Sequence, residues 1–302
     1  MTGPKTLAGV FSPVVTTFDD HTGDLAPVAF RANLRAHLAA GVRGIVLSGS
    51  TGEAALLDEG ERARLIEWAR PLVGDDRWLV VGTGAESTRL CVRRCADAAE
   101  RGADAVLVVS PHYYGAQMTS EALASHFRSV ADTSPLPVIL YNIPKYTHFA
   151  LEAGLVHELA KHANVIGIKD SSGDLKMLAG YLSAQSPRFA VLTGSGGGLY
   201  PALEMGARGG ILAVSLFAAA PAVEVFAAFS RGDMASAGRA QERLGPLAKV
   251  IVGGLGVVGV KAAMDLVGLN GGPVRSPLLP LRAAERERVA ALLRAADVAR
   301  AA

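Results

Sequence analysis

Short runs of apolar residues alternate along this chain with longer segments in which apolar positions recur every three or four residues. The first run is Val10 to Thr17, and its partner segment extends from about Pro27 to Ala40. The pairing repeats at Gly44 to Leu47, Trp78 to Val81, Ala105 to Val109, Val138 to Leu140, Val165 to Ile168, Ala190 to Leu192 and Gly210 to Val214. Uninterrupted apolar runs of this length mark strands buried on both faces, and the intervening periodicity marks amphipathic helices. Eight such units within about 220 residues predict parallel pairing through right-handed crossovers, and they suit a closed (β/α)8 TIM barrel over 1–220 better than an open sheet. Beyond Ala220 the strand signal fades. Ala-rich helical patterns at Pro221 to Phe229, Met234 to Leu247 and Ala283 to Ala299 predict appended C-terminal helices, with 221–302 packed on the barrel or offered to a partner.

Composition narrows the function classes. Half of the 302 residues are hydrophobic, so a large core is available, and 30 basic against 28 acidic residues leave a formal charge of only +2. That balance gives no electrostatic footprint for nucleic acid or a membrane surface, which makes a small molecule the expected partner. Met1 to Phe11 lacks the basic start and apolar run of a secretory leader. No apolar stretch is expected to reach the roughly 18 residues of a membrane span, so the reading is cytosolic. The two cysteines, Cys91 and Cys95, lie one helical turn apart with no further ligand nearby and read as packing residues. Gly254, Gly256 and Gly259 spell GLGVVG after Lys249 to Val252, resembling a dinucleotide fingerprint. The downstream NGGPVRSP offers neither a second strand nor a carboxylate, so the segment reads as a Gly-rich connection before a helix starting near Lys261.

In a parallel barrel the chemistry gathers at the C-terminal ends of the strands. There the sequence places Thr16 and Thr17, then Gly49 to Glu53, then Gly82 to Gly84, then Ser110 to Tyr114, then Tyr141 and Asn142, then Lys169, then Thr193 and Gly194. No cluster of His and carboxylates of the kind that holds a metal is among them, which points to metal-free chemistry. Lys169 ends an apolar run and loses hydration there, which favours its nucleophilic form. It reads either as an imine-forming catalyst or as a structural lysine paired with a neighbour such as Asp170. Facing a tyrosine phenol, such an amine has what imine formation requires: a nucleophile for a carbonyl and a group to shuttle protons as water leaves. Tyr141 is the candidate for that second role. The amides of SGSTGE, freed by glycines, form a carboxylate site at a helix start. Alternatively Thr51 is a cap and Glu53 a first-turn acid.

Together GSTGE at Gly49 to Glu53, SPHYY at Ser110 to Tyr114, LYNIP at Leu140 to Pro144, GIKDSSGD at Gly167 to Asp174 and the VK step at Val260 and Lys261 resemble one family. It is the family of pyruvate-using class I lyases that contains dihydrodipicolinate synthase and N-acetylneuraminate lyase. The resemblance covers almost the whole chain. It implies a barrel with C-terminal helices, commonly a homotetramer built as a dimer of dimers, and a covalent imine with pyruvate or another 2-oxo acid that needs no cofactor. Lys169 then matches the Schiff-base lysine and Tyr141 the proton-moving tyrosine. Ser50 and Thr51 match the pair holding the pyruvate carboxylate. Ser50 also matches the relay hydroxyl, and Tyr113 the relay tyrosine given by a neighbouring subunit. Gly194, Ile211 and Tyr146 complete the expected substrate-binding set.

Two departures bear on the second substrate. Dihydrodipicolinate synthases grip the incoming aldehyde's carboxylate with an arginine two residues after the LYNxP proline, where this chain has Tyr146. Losing that guanidinium forfeits charge-assisted hydrogen bonds worth roughly 1.5–3 kcal/mol. Lys145 is adjacent but is expected to point elsewhere. Leu216 and Ser195 also stand where polar or acidic groups are common, so the second pocket is expected to be altered. GSTGE is closer to sugar-acid aldolases than to the synthases, which favours an aldolase acting on a small or sugar-derived aldehyde, for example through a 2-oxo-3-deoxy sugar acid. The alternatives are 4-hydroxy-tetrahydrodipicolinate (dihydrodipicolinate) synthase itself, a non-catalytic ligand-binding barrel, and a nicotinamide enzyme built on GLGVVG.

Overall fold

The computed structural model describes residues 5–298. Eight strands, β1 (Gly9–Pro13), β2 (Gly44–Leu47), β3 (Trp78–Gly82), β4 (Ala105–Val109), β5 (Val138–Asn142), β6 (Val165–Asp170), β7 (Ala190–Thr193) and β8 (Gly209–Ile211), pair in parallel. They close into a barrel in sequence order, β8 returning to β1. The strands are mostly apolar because both faces are covered. Phe11, Val46, Val80, Leu107, Ile139, Leu192 and Ile211 fill the barrel interior. Their chain neighbours Val10, Ile45, Leu79, Val106, Val138, Leu140 and Val191 pack outward into the core shared with the helices, the inward–outward alternation that a pleated strand imposes.

That alternation positions the chemistry. On β5 the inward set runs from Ile139 to Tyr141, and on β6 from Gly167 to Lys169. The strand register sets Tyr141 directly opposite Lys169. Lys169 therefore lies inside β6 rather than in a turn after an apolar run, since the strand continues to Asp170. Two other expected ends shift the opposite way. β1 stops at Pro13, which has no amide proton for the ladder, and β8 stops at Ile211 because Ala213–Leu216 wind into a 3-10 turn.

After the barrel come helices Ala219–Ser230 and Met234–Leu247, a π-helical segment Ala248–Leu255, helix Gly256–Leu266 and helix Ala283–Ala295. The GLGVVG stretch is thus helical, and the expected connection before Lys261 does not exist. Gly256, at φ +64° and ψ −149°, marks the change from π to α winding in a conformation that side chains resist. Met234–Leu266 forms one 33-residue run whose most apolar window has a mean hydropathy of 1.7, long and apolar enough to cross a membrane by length and composition. This corrects the expectation that no stretch reaches that length. Half of that window is buried within the protein, where Leu244, Leu247, Ile251, Val260, Ala263 and Met264 pack into the core. Cys91 and Cys95 are free thiols buried in helix Thr88–Glu100, Cys95 lying 3.3 Å from the Thr83 hydroxyl.

Two buried histidines make the fold acid-sensitive. His37 and His126 leave their Nε2 atoms without a partner among the described residues, and burial lowers the pKa of each to about 4. An unfolded histidine takes up its proton near pH 6.5. Between those values the unfolded chain binds more protons than the fold, so stability is full above about pH 6.5 and falls as the pH drops toward 4. Each site contributes at most about 3 kcal/mol. Urea melts at pH 7 and pH 4.5 are expected to show the loss, and His37→Leu to remove its share of the pH dependence.

Candidate active site

Lys169 and Tyr141 are neighbours on adjacent strands, both buried, with the lysine Nζ 4.2 Å from the centre of the tyrosine ring. Burial removes a compact, strongly hydrated amine from water and holds it over an aromatic ring that ends in a phenol. Asp170 does not pair with it. As the next residue of β6 it faces the other way, accepting hydrogen bonds from Asn142 Nδ2 at 2.7 Å and from the Ser172 amide and hydroxyl at 3.0 and 2.8 Å. Burial pushes the Asp170 carboxyl upward in pKa, and these donors oppose the shift. Among the described residues Lys169 forms no salt bridge; the lysines that do are Lys5 and Lys261. The structural alternative for Lys169, a pair with Asp170, is therefore absent.

β2 delivers the second element. Gly49 is extended, Ser50–Gly52 make one 3-10 turn, and Glu53 closes it in the left-handed region at φ 56°. The leading amides of such a turn have no partner upstream within it. Ser50 Oγ lies 3.5 Å from Tyr141 Oη, beyond the 2.5–3.0 Å of a well-formed hydroxyl hydrogen bond. A small rotation, or a substrate oxygen between them, closes the link.

The turn is held from behind. Thr16 donates to the Gly52 carbonyl at 2.7 Å, and a Cβ on Gly52 would come within 3.0 Å of the Val14 carbonyl. Glu53 Oε1 meets Lys261 Nζ at 2.5 Å, with the two side chains 1% and 2% exposed, and Glu53 Oε2 accepts the Arg275 amide at 2.8 Å. Lys261 also donates to the Pro273 carbonyl at 2.6 Å and sits 4.5 Å from the Phe18 ring centre. Burial lowers the Lys261 pKa, and the charge of Glu53 opposes that. The VK step of the C-terminal helix thus props the GSTGE turn of β2. Lys261 was not singled out for a role on the sequence, and Glu53 was read only as a first-turn acid, though both stand in the family motifs.

These parts open on a cavity of about 500 Å³. Ser50, Thr51, Tyr141, Tyr146, Lys169, Gly194 and Ile211 all line it, so seven of the eight expected site residues converge. Gly194 fits only without a side chain, since a Cβ there would stand 1.9 Å from Ser171 Oγ. Tyr113 does not join them. It is 78% exposed, stacked edge-on to Tyr114 at 5.0 Å, on a loop whose His112 and Tyr113 amides donate to Glu86 at 2.9 and 2.8 Å.

Two other expectations are corrected. Leu216 is fully buried in the core and does not reach the cavity, leaving Ser195 with Gly196 and Gly197 as the altered wall. Lys145 does not turn away: it lines the cavity and donates to the Gly253 carbonyl at 2.8 Å. The wall that sequence reasoning missed comes from the C-terminal run, Lys249, Val252, Gly253, Gly256, Val257 and Val260. Their three- and four-residue spacing was the available signal, hidden by reading the glycines as a break.

Comparison with known proteins places nearly the whole chain in one family. A family model described as the dihydrodipicolinate synthetase family matches residues 6–296. The 4-hydroxy-tetrahydrodipicolinate synthase of Methanothrix thermoacetophila is 34% identical over 276 residues, covering 90% of this chain and 91% of that protein. The enzyme of the same name from Mycolicibacterium paratuberculosis is 34% identical over 299 residues, 98% and 97% of the two chains. Among solved structures, YagE of E. coli K12, a prophage protein of the dihydrodipicolinic acid synthase family in complex with pyruvate, superposes with a TM-score of 0.91 at 29% identity. It covers 97% of this chain and 99% of its own. The dihydrodipicolinate synthase of Bacillus anthracis gives 0.91 at 28% identity, over 96% and 99%.

Proposed function

The chain belongs to the dihydrodipicolinate synthase family of pyruvate-dependent Schiff-base lyases, and on that premise we propose that Lys169 forms the imine with Tyr141 as its proton carrier. The observation that carries the reading is the inward-facing pair, with the lysine Nζ 4.2 Å from the tyrosine ring centre and no carboxylate on the lysine.

The Lys169 amine adds to the keto carbon of pyruvate, forming a carbon–nitrogen bond. The Tyr141 phenol protonates the departing hydroxyl, which leaves as water and yields the protonated imine. The cationic nitrogen then accepts the electron pair released when a proton leaves C3, giving an enamine that attacks the aldehyde carbon. Hydrolysis of the new imine frees a 4-hydroxy-2-oxo acid and restores the amine. Read backwards, the same steps cleave such an acid to pyruvate and an aldehyde. The iminium nitrogen is itself the electron sink, so the reaction needs no metal or cofactor. Ser50 and Thr51 hold the pyruvate carboxylate at the head of their turn, Gly194 and Ile211 shape the pocket around it, and Tyr146 borders the aldehyde. Ser50 also bridges Tyr141 to the rest of a relay. We infer that Tyr113 completes that relay in a neighbour's cavity, within a cytosolic homotetramer of two dimers; its exposure at the tip of a loop tied to Glu86 supports this. Within the C-terminal extension, the stretch from Ala248 to Val260 walls the cavity.

Tyr141→Phe is expected to lower kcat by about 10²–10⁴-fold while leaving the fold intact, read by steady-state kinetics beside thermal melts. The physiological aldehyde is tested by a panel. Release of pyruvate from 2-oxo-3-deoxy sugar acids, faster than aspartate semialdehyde is consumed with pyruvate, is the expected result. The reverse order favours a 4-hydroxy-tetrahydrodipicolinate synthase, the reading that the relatives' names support.

A further inference from the structure

Asn142 and Asp170 end the two strands that carry Tyr141 and Lys169, and no step of the reaction uses either. Both are 2% exposed, and neither lines the cavity. Asn142 Nδ2 donates to Asp170 Oδ1 at 2.7 Å, and Asn142 Oδ1 accepts the Leu151 amide at 3.0 Å. Leu151 is held again through its carbonyl, which accepts the Tyr181 hydroxyl at 2.5 Å. Tyr181 belongs to helix Leu175–Leu182, as does Met177, whose sulfur lies 3.3 Å from Asn142 Nδ2. The bridge thus stands behind β5 and β6, between the sheet and its helix. Among the described residues Asp170 takes only neutral donors, from Asn142 and Ser172. A buried charge without a counter-ion costs stability, so packing alone does not account for it.

The ladder between the two strands does. Val138 pairs with Val165, but Ile139 pairs with Gly167, so Ile166 is skipped and the register has already slipped by one residue. Four pairs follow: Ile139 with Gly167, Leu140 with Ile168, Tyr141 with Lys169, and Asn142 with Asp170. A further slip of one residue would turn Lys169 toward the helices and set the Asp170 carboxylate against the phenol. Among the described residues the last of these pairs is the only one joined by a side-chain hydrogen bond. Backbone bonds carry the hold past it, the Ser171 amide donating to the Asn142 carbonyl at 2.8 Å and the Gly194 amide to the Asp170 carbonyl at 2.6 Å.

We infer, on the imine reading above, that Asn142 and Asp170 are positioning residues whose side-chain bridge pins β5 to β6 in the register that sets the Lys169 amine against the Tyr141 phenol. They act through that pair and touch neither pyruvate nor the aldehyde. Their contribution is geometric, so a neutral group that makes the same hydrogen bonds serves as well as the carboxylate.

The test is exchange of the pyruvate methyl protons for deuterium from solvent, followed by NMR, which needs the imine and enamine but no aldehyde. Rates are taken per folded molecule, with circular dichroism giving the folded fraction. Asp170→Ala is expected to lower kcat for exchange by about 10- to 100-fold, the scale of a misplacement of about 1 Å. Pyruvate KM is expected to stay within about threefold, because Ser50 and Thr51 are untouched. Asn142→Ala leaves Asp170 its bonds from Ser172 and is run beside it should Asp170→Ala fail to fold; the same loss is expected. Asp170→Asn keeps the acceptor that Asn142 and the Ser172 amide use, so it is expected to restore most of the rate with an unshifted pH profile. Asn142→Asp sets two carboxylates together and is expected to be as slow as the alanine variants. Adding Asp170→Asn to it turns the bridge end for end, and kcat is expected to recover by about tenfold or more. A merely structural pair would lower the melting temperature and leave kcat per folded molecule unchanged, which would overturn the inference. So would an Asp170→Asn as slow as Asp170→Ala, a shifted pH profile in Asp170→Asn, or no recovery in the exchanged pair. Borohydride labelling of Lys169 with pyruvate, run on the wild-type protein, separates the two levels. Labelling with kcat unchanged in the alanine variants overturns this inference alone, and absence of labelling overturns the imine reading beneath it.

Discussion

Lys169→Ala is expected to abolish turnover, by on the order of 10⁴-fold or more, without unfolding the protein. The loss is large because among the described residues no other amine sits beside Tyr141 to form the covalent intermediate, and covalent machinery that acts as a unit fails almost completely when its nucleophile is removed. Folding is spared for a separate reason. Lys169 is buried without an ion pair among the described residues, so its removal leaves no stranded carboxylate, and Asp170 keeps its bonds from Asn142 and Ser172. Lys169→Arg retains the charge but offers a guanidinium that does not form the imine, so it is expected to be equally inactive. Kinetics of both variants, with thermal melts alongside, check the separation. Activity within tenfold of the wild type in either would refute the assignment.

Lys261→Met is expected to cost stability instead, about 3–5 kcal/mol, because it strands Glu53. The 2.5 Å contact between two nearly inaccessible side chains is a pair in which each charge makes the other tolerable. Without Lys261, Glu53 retains only the Arg275 amide as a donor among the described residues. The pair also braces the Ser50–Gly52 turn, so pyruvate KM is expected to rise in whatever fraction remains folded. Urea denaturation measures the loss. The double variant Lys261→Met with Glu53→Gln is expected to lose less than the single one, because a neutral amide replaces the stranded carboxylate. A single-variant loss below about 1 kcal/mol would show that the pair is not what holds the turn.

The barrel was legible because a strand covered on both faces appears as an unbroken apolar run, and the bounds of β2 and β4 coincide with those runs. Strand ends were harder to read where function begins. β5 continues into Tyr141 and Asn142 and β6 into Lys169 and Asp170, polar residues that a hydrophobic pattern treats as the start of a loop. The opposite error arose at β8, where Leu212 to Val214 stay apolar yet leave the sheet. Tyr141, Lys169 and Ile211 converge because their strand positions aim them at one end of the barrel, while Ser50, Thr51 and Gly194 lie just past the ends of β2 and β7 and Tyr146 on the helix after β5. Lys145 was misjudged because its direction depends on a four-residue helix, Pro144–Thr147, that has no periodicity to read. Leu216 was misjudged because the 3-10 turn after β8 rotates it into the core. The cavity's far wall stayed hidden because glycine reads as a helix breaker on local propensity, whereas here a continuous apolar face against the barrel outweighs it.

The central claim is that one buried amine, Lys169, bonds to the keto carbon of pyruvate. Incubation with pyruvate and borohydride followed by peptide mass spectrometry tests it most directly. The predicted result is a single adduct on Lys169, equal to pyruvate less one water plus two hydrogens, with activity lost in proportion to labelling. An unlabelled Lys169, or an adduct carried by Lys145, Lys249 or Lys261 instead, would contradict it.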